Sequence, residues 1–68
     1  MAYVENIQAQ KVRTHDHLIY DGGVYTVLSE SWTDDGLRIK LGLKGVTFGM
    51  NRTVEIACDK IVEILRIY

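Results

Sequence analysis

Apolar and polar residues alternate most regularly between Val24 and Lys44. Leu37, Ile39, Leu41 and Leu43 fall at every second position, alternating with Arg38 and Lys40 and followed by Lys44. A strand with this pattern carries an apolar row on one face and a basic row on the other. Asp34-Asp35-Gly36 supplies a turn, so the stretch predicts one β-hairpin. Further turn signals occur at Asp21-Gly22-Gly23 and from Gly42 to Gly49, with β-branched and aromatic runs between them. No segment places apolar residues three and four apart over several turns without meeting a glycine, so a helical reading fails. The pattern predicts an all-β chain.

Registers follow from the turns. With Gly22-Gly23 as a two-residue turn, Tyr20 lies opposite Tyr25 and Leu18 opposite Val27, and these four share the core face. For the second hairpin a three-residue loop, Asp34-Asp35-Gly36, puts Gly36 in the left-handed conformation that a turn followed by a bulge requires. Val27 then faces Leu43, Ser29 faces Leu41 and Ser31 faces Ile39 on the inner side, while Glu30 pairs with Lys40 and Trp32 with Arg38 outside. A two-residue loop at Asp35-Gly36 would instead put Glu30 on the leucine side. Beyond this hairpin Val46, Phe48 and Met50 alternate with small or polar residues, and Arg52 falls on the apolar side of the count. A bulge or turn near Asn51 is expected to restore Val54 and Ile56 to the interior. Ala57-Cys58-Asp59-Lys60 reads as one helical turn. The last strand, Ile61 to Tyr68, has Val62 and Ile64 on one side and Ile61, Leu65 and Ile67 on the other. It therefore needs cover from the N-terminal arm or from a second subunit.

Five short strands with one short helical turn before the last describe a single five-stranded SH3-like barrel. Val12 to Val27 resembles the opening hairpin of KOW-like and translation-factor-like small barrels, and of small accessory proteins of bacteria and their phages. Those families carry a Gly-Asp pair before the first strand and a Gly-x-x-Tyr-x-Val pattern at the second. Here the second pattern stands as Gly22-Gly23-Val24-Tyr25-Thr26-Val27, and Asp59 to Leu65 looks like the closing strand. The families' glycine is replaced by His15, which implies either a relaxed turn or histidine at positive φ. The resemblance implies a fold; no base-reading residue of KOW domains can be matched here.

The 68 residues form one domain, residues 1–68, with 1–11 as an N-terminal arm or strand. A 47% apolar share supplies a core, and no apolar run approaches the roughly 20 residues that span a bilayer. The N-terminal residues lack the pattern of a signal peptide, and a lone Cys58 forms no internal disulfide. A cytoplasmic protein without membrane association is expected. The net charge of −1 hides an asymmetry: residues 36–54 hold Arg38, Lys40, Lys44 and Arg52 with no acid, while the residues before them are acidic. A globally basic nucleic-acid binder is disfavoured, and a local basic patch is not.

The basic row of Arg38, Lys40 and Lys44, with Trp32 beside it and Arg52 beyond, is the candidate partner-binding surface. Aromatic and arginine anchors favour a protein partner. Nucleic acid is the alternative, held by the cations and a stacked Trp32, and a plain solvated face is the bland one. Leu65, Ile67 and Tyr68 form a second candidate surface, for homo-oligomer contact through the C-terminal strand, against ordinary closure on Val4, Ile7 and Ala9. His15-Asp16-His17 and Cys58 do not complete a zinc ligand set, so no metal and no cofactor are expected. Ser29 and Ser31 have no activating context, and a non-enzymatic binding module is expected.

Overall fold

The computed structural model describes residues 1–47 and 49–67. Six strands form one antiparallel sheet: β1 (Ala2–Gln8), β2 (His17–Tyr20), β3 (Gly23–Trp32), β4 (Arg38–Gly45), β5 (Asn51–Ala57) and β6 (Ile61–Ile67). Their spatial order is β1-β6-β2-β3-β4-β5. The all-β expectation holds, with six strands in place of five because the N-terminal arm is itself a strand. The sheet is open between β1 and β5, so it is not a closed five-stranded barrel.

Chain connectivity nevertheless forces a curl. β5 and β6 stand four positions apart in the sheet, about 19 Å if the sheet were flat. Only Cys58, Asp59 and Lys60 join them, and that link reaches about 14 Å at full extension. The sheet must bend until the end of β5 meets the start of β6. The 3-10 turn Ala9–Lys11 seals the join, with Ala9 N donating to the Lys60 carbonyl at 2.8 Å and Gln10 N to the Cys58 carbonyl at 3.0 Å. The helical turn expected at 57–60 is a single reverse turn, closed by Lys60 N on the Ala57 carbonyl at 3.0 Å. Three residues between two strand ends leave no room for more.

The concave face holds the core. Leu18, Tyr25, Val27, Ile39, Leu41, Leu43, Val54, Ile56, Val62 and Ile64 are buried there, with Ala9 and Val12 from the 3-10 turn and the residues after it. Each fully buried aliphatic side chain contributes about 1.5–3 kcal/mol relative to exposure.

Two registers differ from expectation. In the first hairpin the loop is Asp21-Gly22, so Leu18 faces Tyr25 and Tyr20 faces Gly23. Asp21 (φ 50°) and Gly22 (φ 78°) supply the two positive φ values that a tight hairpin turn needs, which leaves Gly23 to start β3. The slip is an even number of positions, so Leu18, Tyr20, Tyr25 and Val27 keep one face. In the second hairpin Val27 faces Leu43 as expected, but a bulge at Leu28 then shifts the ladder by one. Ser29 faces Gly42, Glu30 faces Leu41, Ser31 faces Lys40 and Trp32 faces Ile39. The loop is Asp34 to Leu37, with Gly36 at the expected positive φ of 71° and Thr33 N bonded to the Arg38 carbonyl at 3.0 Å. Leu37 therefore leaves the apolar row and is 65% exposed.

The bulge has a visible cause. Val27 exchanges backbone bonds with the turn before β2, donating to Asp16 O and accepting from His15 N, both at 2.8 Å. His15 takes φ 80°, the second of the two conformations expected there. Past Val27 the β2 ladder has ended, and β3 continues paired with β4 alone. Leu28 to Trp32 are accordingly all exposed.

β1 lies against β6 along its length, pairing Val4 with Leu65, Ile7 with Val62 and Ala2 with Ile67. Closure by the N-terminal arm is thus what β6 receives. Arg66 ties the assembly, bonding Glu5 of β1 at 2.9 Å and Asp16 before β2 at 2.9 Å. Both carboxylates hold the Arg66 proton more firmly than water does, Glu5 foremost.

Candidate binding surface

β4 is the strand that positions the basic row. Its inward residues Ile39, Leu41 and Leu43 are locked in the core, so Arg38, Lys40 and Lys44 stand outward on a rigid strand flanked by β3 and β5. Successive outward positions are about 7 Å apart. Across the sheet, Lys40 lies between Ser31 and Glu55, Gly42 between Ser29 and Thr53, and Lys44 between Thr26 and Asn51. Arg38 lies across from Ala57. Glu55 is the one acid among these cross-strand neighbours. Among the described residues, no carboxylate forms an ion pair with Lys40 or Lys44 within 4 Å.

Gly42 interrupts the row. A Cβ built there would stand 2.6 Å from Ser29 Oγ, so the Ser29 hydroxyl occupies the space a side chain would take. Beside it lies an open cleft of about 260 Å³ lined by Leu28, Ser29, Gly42, Leu43, Asn51, Arg52 and Thr53. That is below the usual size of a small-molecule site; it suits one protruding group.

The structure divides the residues singled out in the sequence. Arg38, Lys40 and Lys44 share the outer face. Trp32 does not join them: the Leu28 bulge turns it to the side of Ile39, where it is 51% exposed, and turns Glu30 to the side of Leu41. The expected Glu30–Lys40 and Trp32–Arg38 pairs are therefore absent. Arg52 also lies on the inner side, across from Leu43. No bulge at Asn51 corrects its register, because two tyrosines receive it. Its guanidinium sits 5.2 Å from the Tyr20 ring centre and 5.8 Å from that of Tyr25. It donates to the Tyr25 hydroxyl at 3.3 Å and meets Asp21 at 3.5 Å. These partners, Tyr25 first, raise its pKa above the ordinary arginine value. Arg52 caps the end of the core and is engaged within the fold.

On the second candidate surface Leu65 is half-buried and Ile67 is 67% exposed, while Tyr68 lies outside the described residues, as does Phe48. Val46 and Met50 are exposed in the β4–β5 loop, where Gly45 N donates to the Met50 carbonyl at 2.8 Å. Among the described residues no three His, Cys, Asp or Glu side chains gather as a metal site. None of their helices is long and apolar enough to cross a membrane. No protein-family model matches the chain, and no curated protein matches it.

Proposed function

We propose that this chain is a non-enzymatic binding module of the SH3-like kind that engages an acidic surface of a protein partner through the outer face of β4. One observation carries the reading: three cations project at alternate positions from a strand whose other face is immobilised in the core. Such preorganised charge favours complementary association and lowers the cost of ordering on binding. The curl of the sheet and the tight first hairpin support the SH3-like likeness, and the unpaired Cys58 goes with a cytoplasmic setting. A nucleic-acid reading is less well supported. Binding of single strands uses aromatic platforms beside the cations, and Trp32 lies on the other side of the sheet.

The test is affinity capture from an extract of the native cell, with wild type and a Lys40→Glu/Lys44→Glu variant run in parallel and with nuclease added. Capture that survives nuclease and is lost on charge reversal is the expected result. Undiminished capture by the variant overturns the proposal, and capture abolished by nuclease transfers the face to nucleic acid.

A further inference from the structure

The geometry points to the cleft over Gly42 as a seat for a single carboxylate side chain, Asp or Glu, presented by the protein partner. This inference rests on the proposed basic face and adds the position and chemistry of its central contact. Gly42 lies in the middle of the strand that organises the sheet, where glycine is a poor strand former and marks close approach. With no side chain at Gly42, the Ser29 hydroxyl lies over it from β3, and Thr53 lines the other side of the cleft from β5. Asn51 adds an amide at the same rim. Among the described residues, the Ser29, Asn51 and Thr53 side chains hold no hydrogen bond with one another or with any neighbour. Their donors are thus available to a guest.

Charge completes the match. Lys40 and Lys44 stand one outward position to either side of Gly42 along β4, each about 7 Å away. A carboxylate over Gly42 lies between these two lysine positions on β4 and accepts from the Ser29 and Thr53 hydroxyls, and hydrogen bonds to a charged acceptor are the stronger kind. A cleft of about 260 Å³ admits one such side chain.

The experiment is an amide-resolved NMR titration with a hexa-aspartate peptide at low salt, beside sodium acetate, inorganic phosphate and an oligo-thymidine. The expected result is saturable shifts centred on Ser29, Gly42 and Thr53. Affinity for the peptide should fall about tenfold in Thr53→Val, which removes one donor to a charged group at an exposed edge-strand position. Gly42→Ala, whose methyl would stand where Ser29 Oγ lies and displace that donor, should weaken it similarly. Shifts spread over Arg38, Lys40 and Lys44 and unaltered in Thr53→Val overturn the seat while leaving the basic face intact. Absence of any peptide-induced shift overturns both. Tighter binding of phosphate or oligo-thymidine than of the peptide overturns the assignment to a carboxylate.

Discussion

Leu41→Ala tests whether β4 is the spine on which the outward charges depend. Leu41 is 0% exposed and lies between Ile39 and Leu43 on the inner row, with Glu30 across from it on β3 and Val54 on β5. Truncation removes a fully buried isobutyl group and leaves a cavity in the centre of the core. Comparable core positions lose about 3–5 kcal/mol. A domain of this length has about 3–10 kcal/mol in total, so the variant should be largely unfolded or melt on the order of 20 °C lower. Leu37→Ala is the internal control: that leucine belongs to the same sequence alternation but sits exposed in the hairpin loop, and its loss should stay within about 0.5 kcal/mol. Leu41→Met, which nearly conserves volume, should cost less than about 1.5 kcal/mol and keeps the site measurable if the alanine variant does not fold. Urea and thermal unfolding followed by circular dichroism give all three values. A loss below about 1 kcal/mol in Leu41→Ala, or equal losses at Leu37 and Leu41, would refute the assignment of the inner row.

Two further expectations concern the stability of the fold. Arg52→Met keeps the apolar stem over Tyr20 and Tyr25 but removes the guanidinium, so the melting temperature should fall; an unchanged melting temperature would mean that the guanidinium adds nothing to the end of the core. Asp35 accepts from the Thr33 hydroxyl at 2.6 Å and from Leu37 N at 3.0 Å, which together hold its carboxyl below the ordinary range, Thr33 first. A depressed carboxyl contributes stability that is present above its unfolded pKa and lost as pH falls through its folded value. Urea midpoints should therefore decline from about pH 4 downward, less steeply in Asp35→Asn. Identical acid limbs in the two proteins would remove Asp35 from the hairpin's stability.

The inner row was legible because β4 is buried on one face only, and a half-buried strand must alternate. Ile39, Leu41 and Leu43 went inside, and Arg38, Lys40 and Lys44 outside, as period two requires. The register beyond Val27 was not legible. Ser29, Glu30, Ser31 and Trp32 have no buried side to declare a phase, and the bulge at Leu28 arises from bonds to His15 and Asp16 that are distant in sequence. That shift alone moved Trp32 away from the cations and Glu30 away from Lys40. The first loop misled for a smaller reason: Asp21 accepts a positive φ, so the hairpin used one glycine of the pair and left the other to the strand. Arg52 was visible as a residue on the apolar side of the count. Its tyrosine partners were not, because Tyr20 and Tyr25 come from another hairpin.

The position of β6 has a kinetic consequence. It is the last strand in the chain, yet it stands between β1 and β2, so neither β1 nor the outer edge of β2 has a partner until β6 arrives. The pair Ala2 and Ile67 closes almost the entire chain into a loop. Contacts of such long separation must be reached before they reward the entropy spent on them, which places the domain among slow, high-contact-order folders despite its size. The two local hairpins supply what structure forms early, and β6 converts them into one cooperative sheet.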